Sequence, residues 1–346
     1  MSFLKKICLA LLISTFIVGK PNAKEESLLF KGSLPSGDIY YTSVMACGEI
    51  DGTGGEEIVI TDDYGCFEIL DWEPKSKSFR QKWLSDPIFE TNKARRIFIP
   101  NTRAGYDTYI IFLDSSNNLI IYKWFDYITI KEPTIYLSRN PEFLRFSDFT
   151  IGEFASGYHE WEMALIASKA VYLTSSPINL GYLKIGTFKP RFTAITSKVI
   201  FNFDGKPKLY VDHGFGGSQG LLIVPKSIIE GKLCRVLYTL PPFNECKEYY
   251  FACKKGEKIG WVGKIQNNSP EYMSTYTRNE RGSSSIKFFR LGDQLEYTFS
   301  VPVPSNVSSW ELCDLDADSL RELVVLDFLG TLYVYDLHPF LTVKGK

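Results

Sequence analysis

The sequence predicts an all-β fold, a β-propeller of six units with four antiparallel strands in each. Three observations predict it: the residue composition, a degenerate repeat of about fifty residues, and an N-terminal strand that has no unit of its own. The 346 residues include 25 Phe, 20 Tyr and 6 Trp. Aromatic and β-branched side chains suit pleated, half-buried strands. No amphipathic pattern of 3.6-residue period and useful length is present, which argues against a helical repeat.

The repeat is clearest at the two ends of the chain, in residues 48–72 and 313–337, which align without gaps. Each stretch reads as strand, acidic turn, strand, glycine-containing turn and strand. The alignment pairs Glu49 with Asp314, Asp51 with Asp316, Glu57 with Glu322, and Gly65 with Gly330.

Four weaker copies lie between these two stretches, and prolines mark the end of each unit. The copies are residues 108–124, 162–173, 208–224 and 261–277. The prolines are Pro35, Pro87, Pro141, Pro190, Pro241 and Pro302. Proline fits the end or edge of a strand because it cannot donate to a continuing ladder. Since the last interval is the longest, we expect an inserted hairpin at about residues 243–258.

The N-terminal strand, residues 27–35, precedes the first unit, whereas the last unit lacks a fourth strand. The simplest solution gives this strand to the last unit, which closes a ring and removes exposed sheet edges. Seven blades are the alternative count. A pair of β-sandwiches would explain the strands but not this circular arrangement.

The N-terminus has the pattern of a signal peptide over residues 1–23, which leaves residues 24–346 as one propeller domain. A basic start is followed by a twelve-residue apolar run, Ile7–Val18, and by small residues. The run is short for a membrane span, and no later segment is long and apolar enough for one. We therefore expect export to the periplasm, the cell surface or the medium. The net charge of −1 gives no footprint for nucleic acid.

The acidic turn in residues 314–327 resembles the signature of the FG-GAP/VCBS-type repeat, the blade of integrin-α-like propellers. That signature is Asp-x-Asp-x-Asp-Gly-x-x-Asp/Glu followed by a strand. The resemblance is good in the first and last repeats and poor in the four between them. It implies a propeller whose short acidic loops can hold calcium, in a family mostly of adhesion, surface and scaffold modules.

Calcium is bound by six to eight oxygens, which alternating carboxylates and a carbonyl can supply. In the last loop the candidate ligands are Asp314, Asp316, Asp318, the Leu320 carbonyl and Glu322. The departure from the family is Ser319, which stands where the signature has glycine. In the first loop the weaker candidates are Glu49, Asp51, Thr53 and Glu57. The fifth repeat has Lys264 at its first ligand position, which predicts a metal-free loop. The alternative for every acidic turn is simple capping and solvation.

Export would permit disulfides, and six cysteines remain after residue 23. We expect Cys246 and Cys253 to staple the inserted hairpin, with Cys234, on the preceding strand, as the competing partner. Cys47 and Cys313 lie on inner strands of neighbouring units, but their registers differ by one residue. That difference favours buried thiols over a disulfide between these two.

No catalytic constellation is recognisable in the sequence, and its three histidines fall in different repeats. The leading interpretation is a binding or scaffold module for a protein or a glycan. The inserted segment supplies the expected partner contact, through Tyr249, Tyr250, Phe251, Lys254 and Lys255. The alternatives are an extracellular polysaccharide lyase or hydrolase with its site in the central funnel, and a structural subunit of a larger envelope complex.

Overall fold

In the computed structural model, the described strands form six antiparallel sheets. The structure describes residues 27–34, 43–88, 93–100, 108–125, 128–131, 135–136, 146–152, 162–167, 170–175, 193–196, 208–211, 221–224, 233–239, 246–252, 257–266, 269–278 and 282–341. The predicted signal peptide, residues 1–23, lies outside these ranges.

The sheets follow one another along the chain. The first contains β2 (Met45–Gly48), β3 (Glu57–Thr61), β4 (Phe67–Glu73) and β5 (Ser78–Leu84). The second contains β6 (Ala94–Phe98), β7 (Thr108–Asp114), β8 (Asn118–Phe125), β9 (Ile128–Lys131) and β10 (Ile135–Tyr136). The third contains β11 (Phe146–Gly152), β12 (Glu162–Ala167), β13 (Ala170–Ser175) and β14 (Thr193–Thr196).

The other three sheets have the same four-stranded plan. The fourth contains β15 (Lys208–Val211), β16 (Leu221–Val224), β17 (Leu233–Thr239) and β18 (Cys246–Ala252). The fifth contains β19 (Lys258–Lys264), β20 (Glu271–Arg278), β21 (Ser284–Leu291) and β22 (Leu295–Val303). The sixth contains β23 (Val307–Cys313), β24 (Glu322–Asp327), β25 (Thr331–Tyr335) and β1 (Leu28–Ser33).

The short β-branched segments form strands that are buried on both faces. Ile58, Val59 and Ile60 in β3 are fully buried. Because successive side chains of a strand point to opposite faces, Val59 packs towards the second sheet and its two neighbours towards the sixth. The hydrophobic core therefore lies in layers between adjacent sheets.

The N-terminal strand completes the last sheet, as the sequence predicts. β1 pairs antiparallel with β25 along its length, from Leu28 opposite Tyr335 to Ser33 opposite Thr331. The Leu34 N–H continues the ladder by donating to the Gly330 carbonyl at 2.8 Å. The two ends of the described chain are thus held in one sheet.

The first strand of each sheet lies beside the first strand of the next sheet. The neighbouring pairs are β2 with β6, β6 with β11, β11 with β15, β15 with β19, β19 with β23, and β23 with β2. Following these neighbours from sheet to sheet leads back to the starting strand.

In the fourth sheet, the predicted strand order differs from the observed order by one strand. Residues 246–252 pair with β17 along its length, from Thr239 opposite Cys246 to Leu233 opposite Ala252. This segment is the outer strand of the sheet and not an inserted hairpin. The proline pattern predicts residues 233–239, which precede Pro241, as the fourth strand of their unit, whereas they form its third strand.

A four-residue helix, α1 (His338–Leu341), follows the last sheet. Phe340 stacks on Phe299 with ring centroids 5.6 Å apart, so the helix covers the core between the fifth and sixth sheets. Among the described residues, no helix has the length and apolar character needed to cross a bilayer.

Candidate cation sites at the first and last acidic loops

The two acidic loops lie side by side although they are more than 250 residues apart in the sequence. One joins β2 to β3 and the other joins β23 to β24, and β2 is a neighbour of β23. A disulfide between Cys47 and Cys313 links these two inner strands, with Cα atoms 5.6 Å apart. That separation lies within the usual disulfide range.

The disulfide shows that the expectation of buried thiols was wrong, and the reason is geometric. Cys47 lies opposite Ile58 in its sheet, whereas Cys313 lies opposite Glu322, the equivalent of Glu57. The one-residue difference puts the two sulfurs on opposite faces of their own sheets. In this fold, one face of each sheet packs against the opposite face of the next sheet. The one-residue difference in register therefore brings the two sulfurs into the same layer between the sheets.

In the last loop the structure brings together the carboxylates of Asp314, Asp316 and Asp318. One oxygen from each lies within 4.8 Å of the others. Each carboxylate also accepts a backbone N–H of the loop: Asp314 from Ser319 at 3.2 Å, Asp316 from Asp318 at 3.3 Å, and Asp318 from Leu320 at 2.7 Å. The loop is thus folded around its own acidic side chains.

Two residues of this loop have left-handed backbone conformations that favour glycine. Ala317 has a φ of 62° and Ser319 a φ of 70°. Their partners in the aligned first repeat are Gly52 and Gly54, with φ of 78° and 102°. The last loop therefore makes the same left-handed turns as the first loop without glycine, at the cost of some backbone strain.

The remaining predicted ligands of the last loop have other roles. Glu322 is buried at the start of β24, and its carboxylate accepts the Leu315 N–H at 3.1 Å. Leu320 is also buried and makes an isolated β-bridge with Gln266. Neither belongs to the group of three converging carboxylates.

The electrostatics of the last loop favour a bound cation. Burial raises the pKa of Asp314, and the nearby Glu56 carboxylate raises it further. Burial and the Asp318 carboxylate together raise the pKa of Asp316. Burial raises the pKa of Glu322 to about 8. A nearby positive charge would favour the ionised forms instead.

The donors present fit a calcium ion. They are carboxylate oxygens, which are the ligands that calcium prefers. The Oδ1 atom of Asp314 is buried and has no hydrogen-bond partner, so it is free to act as a ligand. Asp316 and Asp318 are exposed, which leaves a path for an ion from solvent.

In the first loop Glu49, Asp51 and Glu57 also come within 4.8 Å of one another, but a lysine lies among them. The Lys82 ammonium, from β5, forms ion pairs with Asp51 and with Glu57, the latter at 2.7 Å. A third carboxylate, that of Asp71, is 3.8 Å from the same nitrogen.

The ion pairs of Lys82 are shielded from solvent. The side chains of Lys82, Asp51 and Glu57 are 7%, 5% and 1% exposed. Burial alone would raise the pKa of Asp51, but the hydrogen bonds from Lys82 and Thr53 outweigh it and lower that pKa to about 2. The two carboxylates likewise outweigh burial and raise the pKa of Lys82. Burial raises the pKa of Glu57 to about 7, although Lys82 opposes the shift.

The other two predicted ligands of the first loop serve its backbone. The Glu49 carboxylate accepts the N–H groups of Gly52 at 2.6 Å and Gly54 at 2.8 Å. Thr53 donates its N–H to Asp51 at 3.0 Å. These contacts are those of side chains that cap a turn, which is the alternative to metal binding.

The two loops are joined by a charged contact. Arg321 binds both oxygens of the Glu56 carboxylate, at 2.7 and 3.2 Å. The same carboxylate accepts the Asp314 N–H at 3.0 Å, and the Glu56 N–H donates to the Asp314 carbonyl at 2.8 Å. Arg321 also donates to the Leu312 carbonyl at 2.8 Å.

Sequence reasoning missed Lys82, Glu56 and Arg321. Glu56 and Arg321 occupy the same position of the aligned repeats and have opposite charges. The alignment therefore indicated a possible ion pair between the two loops. Lys82 could not be found in the same way, because the alignment of residues 48–72 ends before the fourth strand of the unit.

The other predicted sites fall in the fourth sheet. Cys246 begins the extended strand β18 and Cys253 follows its last residue, outside the described residues. The expected Cys246–Cys253 staple therefore stays a prediction.

The predicted partner contact can be placed only in part. Residues 249–251 belong to β18, where Tyr249 pairs with Val236 and Tyr250 with Arg235. Lys254 and Lys255 lie outside the described residues.

Comparisons with known proteins agree on the fold. No protein-family model matches the sequence, and a search of curated proteins finds no significant match. Among solved structures, the chain resembles BBS1N in its complex with ARL6DN soaked with lead, at a TM-score of 0.56 and 11% identity, over 90% of this chain and 96% of that one. The corresponding mercury-soaked complex gives a TM-score of 0.55 at 12% identity, over 89% and 96%.

A chain of the mitotic checkpoint complex gives a TM-score of 0.50 at 11% identity, over 92% of this chain and 94% of that one. At these identities the likeness shows the fold alone. The protein thus has an all-β, propeller-like fold built from several four-stranded antiparallel sheets.

Proposed function

We propose that this protein is an exported, non-catalytic scaffold: a closed six-bladed propeller of the FG-GAP/VCBS type, braced by calcium at its last acidic loop, that holds a protein or glycan partner. The observation that carries the proposal is the junction between the first and sixth sheets. Strand sharing, a disulfide and a partly buried charged contact all act at or beside this boundary.

Such a boundary suits a rigid platform. A ring of blades opens most easily at the blade that contains strands from both ends of the propeller, because only the pairing of β1 with β25 closes the ring there. Three independent links there keep the faces of the disc in a fixed geometry. Rigid scaffolds of this kind present their binding residues on loops.

The calcium part of the proposal rests on the last loop. Asp314, Asp316 and Asp318 would hold the ion. The ion would favour the ionised forms of Asp314 and Asp316, whose pKa values are raised by burial and by nearby carboxylates. An ion here would brace the junction and would supply no catalytic chemistry.

The partner part of the proposal rests on fold and resemblance. FG-GAP/VCBS repeats occur mostly in adhesion and scaffold modules. The similar structures include BBS1N in complex with ARL6DN and a chain of the mitotic checkpoint complex. Both of those proteins are found in complexes with other proteins, and we propose the same kind of role for this chain.

Thermal unfolding of residues 24–346 in calcium and in chelator tests the brace. We expect calcium to raise the melting temperature of the wild type and not that of Asp316→Ala, because an ion that binds only the folded state stabilises it. Asp293→Asn, in the exposed turn between β21 and β22, is the matched control and should retain the full calcium response. An equal response in Asp316→Ala and wild type would refute the last loop as the site.

Incubation of the same protein with a panel of acidic and neutral polysaccharides tests the scaffold role. We expect binding without cleavage, or no interaction, because a scaffold has no group that attacks a glycosidic bond. Release of unsaturated products or new reducing ends, at a rate proportional to protein concentration, would show an enzyme instead.

A further inference from the structure

The first acidic loop has the carboxylates of a cation site and already contains a positive charge. We propose that Lys82 is the resident cation of this loop: its ammonium occupies the position between Asp51 and Glu57 that a metal ion would otherwise take. The first loop is then complete without metal, and the last loop alone is left to bind one.

The contacts of Lys82 support this role. Its nitrogen is within ion-pair distance of three carboxylates, those of Asp51, Glu57 and Asp71. With a side chain only 7% exposed, Lys82 is unlike a surface lysine, whose ion pairs contribute little. A buried charge of this kind is retained only when it is paired.

The backbone explains how a strand residue reaches the loop. In β5, Gln81 lies opposite Leu70 and Trp83 lies opposite Ile69. Lys82 is therefore the extra residue of a β-bulge, and bulges redirect a side chain relative to the regular alternation of a strand.

The last sheet has the same bulge with a different residue. In β1, Leu28 lies opposite Tyr335 and Phe30 lies opposite Val334, so Leu29 is the extra residue. In the aligned repeats, Tyr335 and Val334 correspond to Leu70 and Ile69, the two β4 residues that lie opposite the first bulge. The position that carries a cation in the first sheet is thus apolar in the last.

The inference does not depend on calcium binding at the last loop, so we test it with that loop disabled. The background is the Asp316→Asn/Asp318→Asn double variant. Adding Lys82→Met removes the ammonium and keeps an unbranched side chain. We measure the melting temperature of each protein in chelator and in millimolar calcium, and terbium luminescence as a readout of lanthanide binding.

In chelator we expect Lys82→Met to lower the melting temperature by roughly 5–10 °C, because it leaves buried carboxylates without a counter-charge. Calcium should restore more than half of that loss, and terbium should bind the variant but not the background. Lys82→Arg, which keeps the charge, should lose less stability and gain no calcium response.

A charge-balanced variant separates electrostatics from packing. Adding Asp51→Asn and Glu57→Gln to Lys82→Met should recover stability in chelator and abolish the calcium response. If Lys82→Met does not fold in chelator, folding of this variant in calcium would still support the proposal. Recovery of folding in the charge-balanced variant would support it equally.

Two results would overturn the proposal. The first is a Lys82→Met variant whose melting temperature equals that of the background, or whose loss is the same in calcium, in chelator and in the balanced variant. The second is a calcium response of the background itself that Asp51→Asn removes, because the loop would then take metal with Lys82 present.

Discussion

The first and last acidic loops have the same sequence pattern, the same strand context and adjacent positions, yet they neutralise their carboxylates in different ways. In the first loop a lysine from the fourth strand of the sheet lies among the acids, and the pKa of Asp51 falls to about 2. In the last loop the pKa of Asp314 and that of Asp316 are raised. The first loop carries its positive charge in the covalent chain, whereas for the last loop we propose a calcium ion from solution.

The comparison teaches that an acidic repeat motif does not by itself identify a metal site. The motif specifies the turn and its carboxylates, but the cation that we propose for the first loop comes from a residue outside the motif. In this fold that residue lies on the fourth strand, which for the last sheet comes from the opposite end of the chain.

The largest expected effect comes from moving the lysine. Leu29→Lys should place an ammonium near Asp316 and Glu322 and abolish calcium stabilisation, which is worth about 2.7 kcal/mol for a ligand at 100 times its Kd. In chelator the variant should melt no lower than the wild type, since the new charge offsets the lost apolar contact. Calorimetric titration with calcium and melting in chelator check both effects. A full calcium response in Leu29→Lys would show that the two bulges are not equivalent.

An intermediate effect is expected where the two loops touch. A Cβ at Gly55 would lie 2.7 Å from the Leu315 carbonyl oxygen, so Gly55→Ala must push the loops apart, at a cost of about 1–3 kcal/mol. Urea unfolding measures the loss. Gly292→Ala, where the nearest atom is 3.7 Å away and φ is not left-handed, is the control and should cost much less. Equal losses of unfolding free energy in the two variants would mean that the loops can move apart at little energetic cost.

The smallest effect concerns the backbone of the last loop. Ser319→Gly should stabilise the protein by about 0.5–1 kcal/mol, because glycine adopts a φ of 70° without the steric cost that serine pays. It also restores the glycine of the repeat signature. Urea unfolding in chelator should detect the gain, and a loss of stability would show that the serine side chain has a role of its own.

Much of the fold could be predicted from the sequence because it depends on local patterns. The β-branched runs and the glycine turns of the first and last repeats identified their strands, and the unpaired strand at residues 27–35 predicted how the last sheet is completed. The prediction went wrong by one strand in the fourth sheet, because equally apolar strands do not reveal which of them lies innermost.

The site could be predicted only in part, because its decisive contacts join distant residues. The converging carboxylates follow from the spacing of Asp314, Asp316 and Asp318. The disulfide required knowing that adjacent sheets present unlike faces to each other. The lysine of the first loop depends on a bulge, which strand alternation alone does not show.

The pairing of β1 with β25 also has a consequence for how the molecule is made. Leu28 lies opposite Tyr335, so a ribosome must synthesise the chain from β1 through β25 before β1 can pair with its neighbour. Until then β1 is an unpaired strand, and unpaired strand edges are prone to pair with strands of other chains. The segment therefore needs protection from such pairing until β25 has been made.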